Sequence, residues 1–396
     1  MEDRGVLIVG GGLAAQRCAE TLRRRGYDAP VRIACAEPRP PYDRPPLSKE
    51  MLAGTLAEDA LAYRPAWWYE EKEVELLLGF RAEALDPAAR TVTLSTGVEL
   101  PYGKLLIATG SAARGLPFLE GFDNVHALRT VADARRLRRE LVPGARLAVV
   151  GAGFIGQEVA ATARRLGVAV TMIEALEVPL EPVLGRELGS WFAGLHLDEG
   201  VRVKTGAMLE RARGEGRIEE LVLSDGQKIV CDAVVVGVGT APATAWLGGS
   251  GLDPAGVRTD SSGRTALPGI FAAGAASVPF DPRFGVHART EHWDAAAWQG
   301  AATARAMLGE YPGTPPLPSF WSDQYGLRIQ YVGHAHHSDT VVIEGSLEER
   351  DFEAVFTRGG IPVAGLAVGR PRAIPALRKR IDLGRWPAKS NSEEAA

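Results

Sequence analysis

Along this chain, short fully apolar runs alternate with stretches of helical spacing, and one such alternation occurs twice. Residues 146–174 read RLAVVGAGFIGQEVAATARRLGVAVTMIE. An apolar run (147–150) meets Gly151, Gly153 and Gly156, then a helical pattern, then a second apolar run ending at Glu174. The chain opens the same way. Positions 6–9 lead into Gly10-Gly11-Gly12-Leu13-Ala14-Ala15, a helical pattern runs to Gly26, and VRIACAE ends at Glu37. Gly10 to Gly26 and Gly151 to Gly167 have equal spacing, and Gln16 corresponds to Gln157. Runs of this length bounded by glycines predict buried strands, and the 3.6-residue period between them predicts helices.

The remaining pattern fills in around this repeat. KLLIATGS (104–111) predicts a buried strand ending in a glycine turn at Ala108-Thr109-Gly110, and DAVVVGVGTAP (232–242) repeats it, with its turn at Gly239. LPGIFAAGAAS (267–277) is another, turning at Gly274-Ala275. Residues 74–100 predict strands with a turn at Ser95-Thr96-Gly97, and 201–231 a meander turning at 214–216 and 225–226. Residues 133–142 predict a charged helix. Residues 290–308 predict a long Ala-rich helix that Glu291 opens. The prolines of PRPPYDRPPLSKEML (38–52) force an extended path, with Ser48 placed to cap the next helix. A Pro/Gly linker (309–319) precedes a small antiparallel domain, and 369–385 is strongly basic.

The turn residues carry chemistry. Gly151 permits the tight turn, Gly153 lets backbone approach a pyrophosphate, and Gly156 lets the helix lie on the strand. The helix N-terminus presents N–H groups to phosphates. Glu174, about 20 residues on, accepts hydrogen bonds from a ribose 2′-OH. Ala15 takes the third glycine's place in the first copy. The repeat therefore reads as two dinucleotide sites, the rival reading being one working site and one decayed copy. Glu174 repels a 2′-phosphate and EALEVPL offers no base to receive one, which favours NADH over NADPH.

A net charge of −4 gives no footprint for nucleic acid, and no apolar run approaches the ~20 residues of a membrane span. MEDRGVLIVGGG is acidic and enters a strand at once, unlike a secretory signal. Cys18, Cys35 and Cys231 are scattered, without CxxC or metal spacing, and read as reduced structural thiols in the cytoplasm. His334, His336 and His337 read as a solvated turn, so no metal is expected.

Both fingerprints, YDRPPLSK, the strand–glycine turns, TEHWDAAAWQG and FWSDQYG, in this order, resemble the FAD-dependent NADH:ferredoxin reductases, the family of putidaredoxin reductase and the reductases of Rieske dioxygenases. The resemblance covers residues 5 to about 370. It implies an α/β fold with two Rossmann-like domains, glutathione-reductase-like, plus a small α+β C-terminal domain. The divisions expected are 1–113 with 242–318 (FAD-binding), 114–241 (NAD-binding), 319–385 (C-terminal) and a disordered tail, 386–396. It implies hydride transfer from NADH to FAD, then single electrons to a [2Fe–2S] ferredoxin serving a cytochrome P450 or a Rieske oxygenase.

By the same resemblance, Gly10, Gly12, Leu13, Ala14 and Ala15 meet the FAD pyrophosphate, and Glu37 the adenosine ribose. Ala82 meets the adenine side, and Ala108, Thr109, Gly110, Gly274, Ala275 and His292 complete the flavin cradle. Arg44 either reaches the pyrophosphate or is a solvated loop charge. Lys49 and Arg129 line the flavin, Trp293 meets its ring, and Glu291 opens the helix aimed at it. Gly151, Gly153, Phe154, Ile155, Gly156, Glu174 and Gly239 hold NADH. Glu158 pairs with Lys49, and Trp321 covers the flavin near Asp323 and Gln324; Lys49, Glu158 and Trp321 are the residues assigned to catalysis. The basic run Arg370, Arg372, Arg378, Lys379 and Arg380 either docks an acidic ferredoxin or is a solvated face. One position departs from the family: Gly274 is followed by Ala275, not the usual aspartate. Losing one hydrogen bond to the flavin's ribityl chain costs about 1–3 kcal/mol. Compensation by the surrounding motifs is the favoured outcome. The rivals are another FAD/NAD(P)H oxidoreductase or a flavin-deficient nucleotide-binding protein.

Overall fold

The structure, a computed structural model, describes residues 4–384. The chain forms two compact units. One comprises the described residues from 4 to 114, Arg129–Ala134 and Gly239–Pro316. The other comprises Gly115–Leu128, Arg135–Val238 and the described residues from 317 to 384.

In the first unit, five parallel strands lie in the order Ile270–Ala272, Lys104–Ile107, Val6–Val9, Val31–Cys35 and Val74–Leu78. Val6–Val9 is apolar at every position because both faces of the sheet are covered. Val6 and Ile8 face the helices Leu13–Arg24 and Trp293–Met307. Leu7 and Val9 face the antiparallel strands Ala82–Asp86 and Thr91–Leu94. The two helices approach closely because of Gly300, whose added Cβ would lie 2.2 Å from the Ala14 carbonyl oxygen.

The second unit repeats the plan. Its parallel strands run in the order Arg202–Lys204, Ala169–Ile173, Arg146–Val150, Ala233–Val236 and Val125–His126. Leu209–Arg213, Glu220–Leu223 and Lys228–Val230 form the expected meander, and Leu221, Leu223 and Ile229 pack under Ala148, Val150 and Val234. A five-stranded antiparallel sheet follows, in the order Ser319–Gln324, Leu327–Gly333, Ile361–Val368, Asp351–Arg358 and Thr340–Ser346. Ile329, Tyr331, Phe352, Phe356 and Leu366 share one core with Leu184, Leu188 and Phe192 of helix Glu181–Asp198. The basic segment forms helix Ala373–Leu383, buried through Ile374, Leu377 and Ile381. The expected tail, 386–396, lies outside the described residues.

Two local expectations need correcting. The helix expected over 290–308 starts at Trp293, with His292 as its N-cap and Asp294 as the acid of its first turn. Glu291 therefore precedes the helix instead of opening it. Ser48 closes a 3₁₀ turn, Pro45–Ser48, and its hydroxyl donates to the Pro45 carbonyl. The short helix Glu50–Ala53 has Lys49 at its N-cap position. Two prolines in succession favour the tight turn over a capped helix start.

Candidate dinucleotide-binding sites

In the first unit the turn after Val6–Val9 needs glycine at its first position. Gly10 has φ 127°, and a Cβ there would meet the Ala108 carbonyl oxygen at 2.1 Å. Gly12 caps helix Leu13–Arg24 without a side-chain cap, and nothing stands within 4 Å of where its Cβ would be. The first N–H groups of the helix have no intrahelical acceptor and form a donor cradle for an anion.

Around this cradle, Glu37 accepts hydrogen bonds from the Tyr42 hydroxyl at 2.7 Å and the Arg44 guanidinium at 2.9 Å. Arg44 also lies 4.9 Å over the Tyr42 ring and donates to the Arg129 carbonyl. Arg44 is thus bound in place by Glu37. The Arg129 guanidinium donates to the Ser111 carbonyl at 2.9 Å. Burial, then the nearby Arg44 charge, pushes its pKa down to about 10. Burial opposes it, but Tyr42 and the Glu37 carboxylate hold the Arg44 guanidinium above its ordinary range, so both arginines are charged at neutral pH.

Thr109, beside Gly110, has a buried hydroxyl with no partner. An unsatisfied buried hydroxyl is costly, and a ligand group beside this turn would satisfy it. The turn Gly274–Ala276 is buried. The Gly274 N–H donates to the Gln299 amide oxygen at 2.7 Å, and the Ser277 hydroxyl donates to the Gly274 carbonyl at 2.8 Å. The Ala275 methyl offers nothing to hydrogen-bond. The Trp293 indole donates to Asp43 at 2.7 Å, and Tyr63 donates to the same carboxylate at 3.0 Å. Glu291 pairs with Arg289 at 2.6 Å and accepts from the Thr240 hydroxyl. Lys49 is buried and donates to the Pro45 carbonyl at 3.3 Å. Ala82 opens its strand, paired with Leu94. Gly239, at φ 97°, holds Arg114 through its carbonyl.

In the second unit a Cβ on Gly151 (φ 98°) would lie 2.5 Å from the Gly237 carbonyl oxygen. One on Gly156 would lie 2.2 Å from that of Gly151. Gly153 caps helix Phe154–Arg165 with open space where a side chain would be. Glu174 accepts from the Ala152 N–H at 2.8 Å and the Leu176 N–H at 3.0 Å, so the carboxylate is fixed beside the turn. Ile155 is 51% exposed, whereas the Phe154 ring packs edge-on against Phe320 and Phe192. That leaves Phe154 its backbone for a ligand and gives its ring to the core. Glu158 is buried and accepts from the Ser322 hydroxyl at 2.8 Å. Arg328 lies 5.4 Å over the Trp321 ring. Of the basic run, Arg370 is paired with Asp351 and Arg378 donates to Ser319, so Arg372 and Lys379 are its exposed charges.

Sequence reading missed Tyr42, Asp43 and Gln299 as parts of the first site. Tyr42 and Asp43 stood in the quoted YDRPPLSK motif. Gln299 lies in helix Trp293–Met307 beyond its first turn, where the sequence pattern carries no signal for it. His336 donates its backbone N–H to Asp339, which Arg358 also holds. Among the described residues no group of three His, Cys, Asp or Glu is placed to hold a metal ion. Both turns, each with an open capping glycine and a carboxylate near the next strand's end, fit a dinucleotide.

Comparison with known proteins agrees. Residues 4–300 match the pyridine nucleotide-disulphide oxidoreductase family, and residues 319–395 a reductase C-terminal domain. The chain is 41% identical to the anthranilate 1,2-dioxygenase system ferredoxin–NAD(+) reductase component of Burkholderia cepacia, over 96% of this chain and 95% of that one. It is 36% identical to the biphenyl dioxygenase system ferredoxin–NAD(+) reductase component of Paraburkholderia xenovorans, over 87% and 84%. The crystal structure of the covalent putidaredoxin reductase–putidaredoxin complex superposes with TM-score 0.92 at 31% identity, over 95% and 92%. Despite the family's name, Cys18, Cys35 and Cys231 are all buried and free, and burial pushes the Cys35 and Cys231 thiols up to about 12. The chain belongs to the pyridine nucleotide-disulphide oxidoreductases, as an oxidoreductase of the ferredoxin–NAD(+) reductase type.

Proposed function

We propose that this protein takes reducing equivalents from NADH onto an FAD held at the first turn and delivers them singly to a [2Fe–2S] ferredoxin serving a cytochrome P450 or a Rieske oxygenase. The observation that carries this is the pair of turns, one per unit, each with an obligatory glycine, an open capping glycine and a fixed carboxylate. The relatives, reductase components of dioxygenase systems along nearly their whole length, support the ferredoxin partner.

Bound FAD supplies the conversion between two-electron and one-electron transfer. The chain's own residues bind and orient. The N–H groups from Leu13 to Ala15 hold the first pyrophosphate, Glu37 a ribose, and Thr109 and the Gly274–Ala275 turn the flavin's polar chain. Arg129 supplies positive charge where the reduced ring gathers electrons, and the N-terminus of helix Trp293–Met307 adds to it. Gly151, Gly153 and Gly156 receive the NADH pyrophosphate, and Glu174 its ribose. Glu174 opposes a 2′-phosphate, which sets the preference for NADH. Lys49, Glu158 and Trp321 orient the reacting rings and exclude water; none need be a nucleophile. Gln299 keeps the Gly274 turn in shape without an aspartate at 275, which supports retained flavin binding.

The division into FAD-binding (1–113, 242–318), NAD-binding (114–241) and C-terminal (319–385) segments belongs to this proposal. So does a cytoplasmic site of action, supported by three buried free thiols. Among the described residues no helix is long and apolar enough to cross a membrane.

The deciding experiment is the visible spectrum of the purified protein before and after anaerobic NADH. Flavin bands that bleach on NADH addition are expected. A protein that stays colourless with added FAD overturns the reading and makes Ala275 the reason.

A further inference from the structure

Gln157 follows the second turn on helix Phe154–Arg165 and is fully buried. Its side chain donates through Nε2 to the Ala152 carbonyl at 2.8 Å. A carbonyl needs a donor, so the amide's Oε1 faces the other way, toward His196 Nε2 at 3.3 Å. That oxygen also needs a donor, so His196 carries its proton on Nε2. His196 Nδ1 is then an acceptor, and the Tyr325 hydroxyl at 2.7 Å donates to it. The result is a one-way series: Tyr325 O–H to His196, His196 N–H to Gln157, Gln157 N–H to the Ala152 carbonyl.

The far end of this series is the middle of the fingerprint turn. The Ala152 N–H is held by Glu174, and its carbonyl by Gln157. In a trans peptide the C=O and the following N–H point in opposite directions. With the Ala152 oxygen drawn inward to Gln157, the Gly153 N–H is turned outward, to the side where Gly153 has open space. The near end is Tyr325, in the turn between Ser319–Gln324 and Leu327–Gly333, at φ 52°. A non-glycine residue there is strained, and the hydroxyl's bond to His196 helps to offset that strain. The first copy lacks this device. Gln16 is equally buried, but its Nε2 runs along its own helix to Glu20, and its Oε1 accepts from Tyr69.

We propose that Gln157, His196 and Tyr325 are positioning residues for the nicotinamide dinucleotide: together they set the Ala152–Gly153 peptide so that its N–H meets the pyrophosphate, and they tie that setting to the C-terminal sheet. The inference rests on reading the second turn as the NADH site.

The test is binding of NAD(+) to the full-length flavoprotein, measured by calorimetric titration beside thermal stability. Gln157→Leu and His196→Phe each raise the Kd about tenfold, the scale of one lost buried hydrogen bond. Their double variant is no weaker than either alone, because the two act in series. His196→Gln, which keeps a donor for Gln157, stays within roughly threefold of the unaltered chain. Tyr325→Phe removes a single oxygen, keeps the fold, and raises the Kd roughly threefold. Unchanged Kd in Tyr325→Phe and His196→Phe, with only the melting temperature lowered, overturns the inference, as does a double variant with additive losses. An unaltered chain that binds no NAD(+) overturns the site reading and this inference with it.

Discussion

The two fingerprint turns solve one steric problem in different places. Both begin with a positive-φ glycine pressed against the end of the next strand: Gly10 against Ala108, and Gly151 against Gly237. They differ at the third position. In the second unit Gly156 lies over the Gly151 carbonyl, and the helix sits hard on its own turn. In the first unit Ala15 fills that position and is buried, while the close approach occurs one layer out, where Gly300 meets the Ala14 backbone. A fingerprint therefore describes packing demands, and a neighbouring helix can take over one of them. The carboxylates differ too. Glu37 is held by side chains, Tyr42 and Arg44, whereas Glu174 is held by backbone N–H groups.

The comparison breaks most visibly at the first glycines. Gly10→Ala adds a Cβ against backbone at a φ that alanine avoids, a loss of roughly 3 kcal/mol or more. Flavin absorbance per chain should fall to near zero. Gly151→Ala should keep its flavin and lose NAD(+) binding in a titration. If each variant lost both ligands, the two turns would not be independent sites.

A second difference is that the second unit buries a histidine. Burial lowers the His196 pKa from 6.5 to about 4, with Gln324 opposing the shift. The unfolded chain then takes up a proton on falling below pH 6.5 while the folded chain does not. Stability is full above 6.5 and declines as the pH falls toward 4, by at most about 3 kcal/mol. Denaturant titrations at pH 7 and pH 4.5 should show a smaller pH dependence in His196→Gln than in the unaltered chain. Equal dependence would remove His196 from the account.

Swapping the third positions sharpens the contrast. Gly156→Ala should cost about 2 kcal/mol through overpacking on the Gly151 carbonyl, and Ala15→Gly about 1 kcal/mol through helix propensity together with one lost buried methyl. Thermal melts rank them, and a larger loss for Ala15→Gly contradicts the packing account. The smallest effect has opposite signs with and without ligand. Thr109→Val removes an unpartnered buried hydroxyl, so the apoprotein should gain about 0.5–1 kcal/mol while flavin affinity falls several-fold. Loss of apoprotein stability would show that the hydroxyl has a structural partner.

Much of this was legible in the sequence because apolar runs and glycines report directly on backbone geometry. The repeat, both glycine turns, the two meanders and the antiparallel C-terminal sheet all follow from apolar runs, the turn residues that bound them and the 3.6-residue helical period. What was not legible depends on partners distant in the chain. Glu291 looked like a helix-opening acid, and only the fold shows Trp293 as the first helical residue, with Glu291 engaged by Arg289. Arg44 reads as a pyrophosphate ligand or a solvated loop charge, and nothing local in the sequence names Glu37 as the group that holds it. The Gln16–Gln157 correspondence was visible, but nothing local says that one amide turns along its helix and the other back to the turn.

The first unit is assembled from segments far apart in the chain, and this bears on its synthesis. Strand Lys104–Ile107 has its outer edge covered by Ile270–Ala272, which leaves the ribosome much later. At ~5–20 residues per second the delay is on the order of ten seconds or more. During that interval the nascent sheet carries an open edge, apolar from Leu105 to Ile107, while the residues from Arg146 to Val236 are being made. A chaperone that shields strand edges would therefore act on this protein before its last third has been made, and truncation before Ile270 leaves that edge permanently bare.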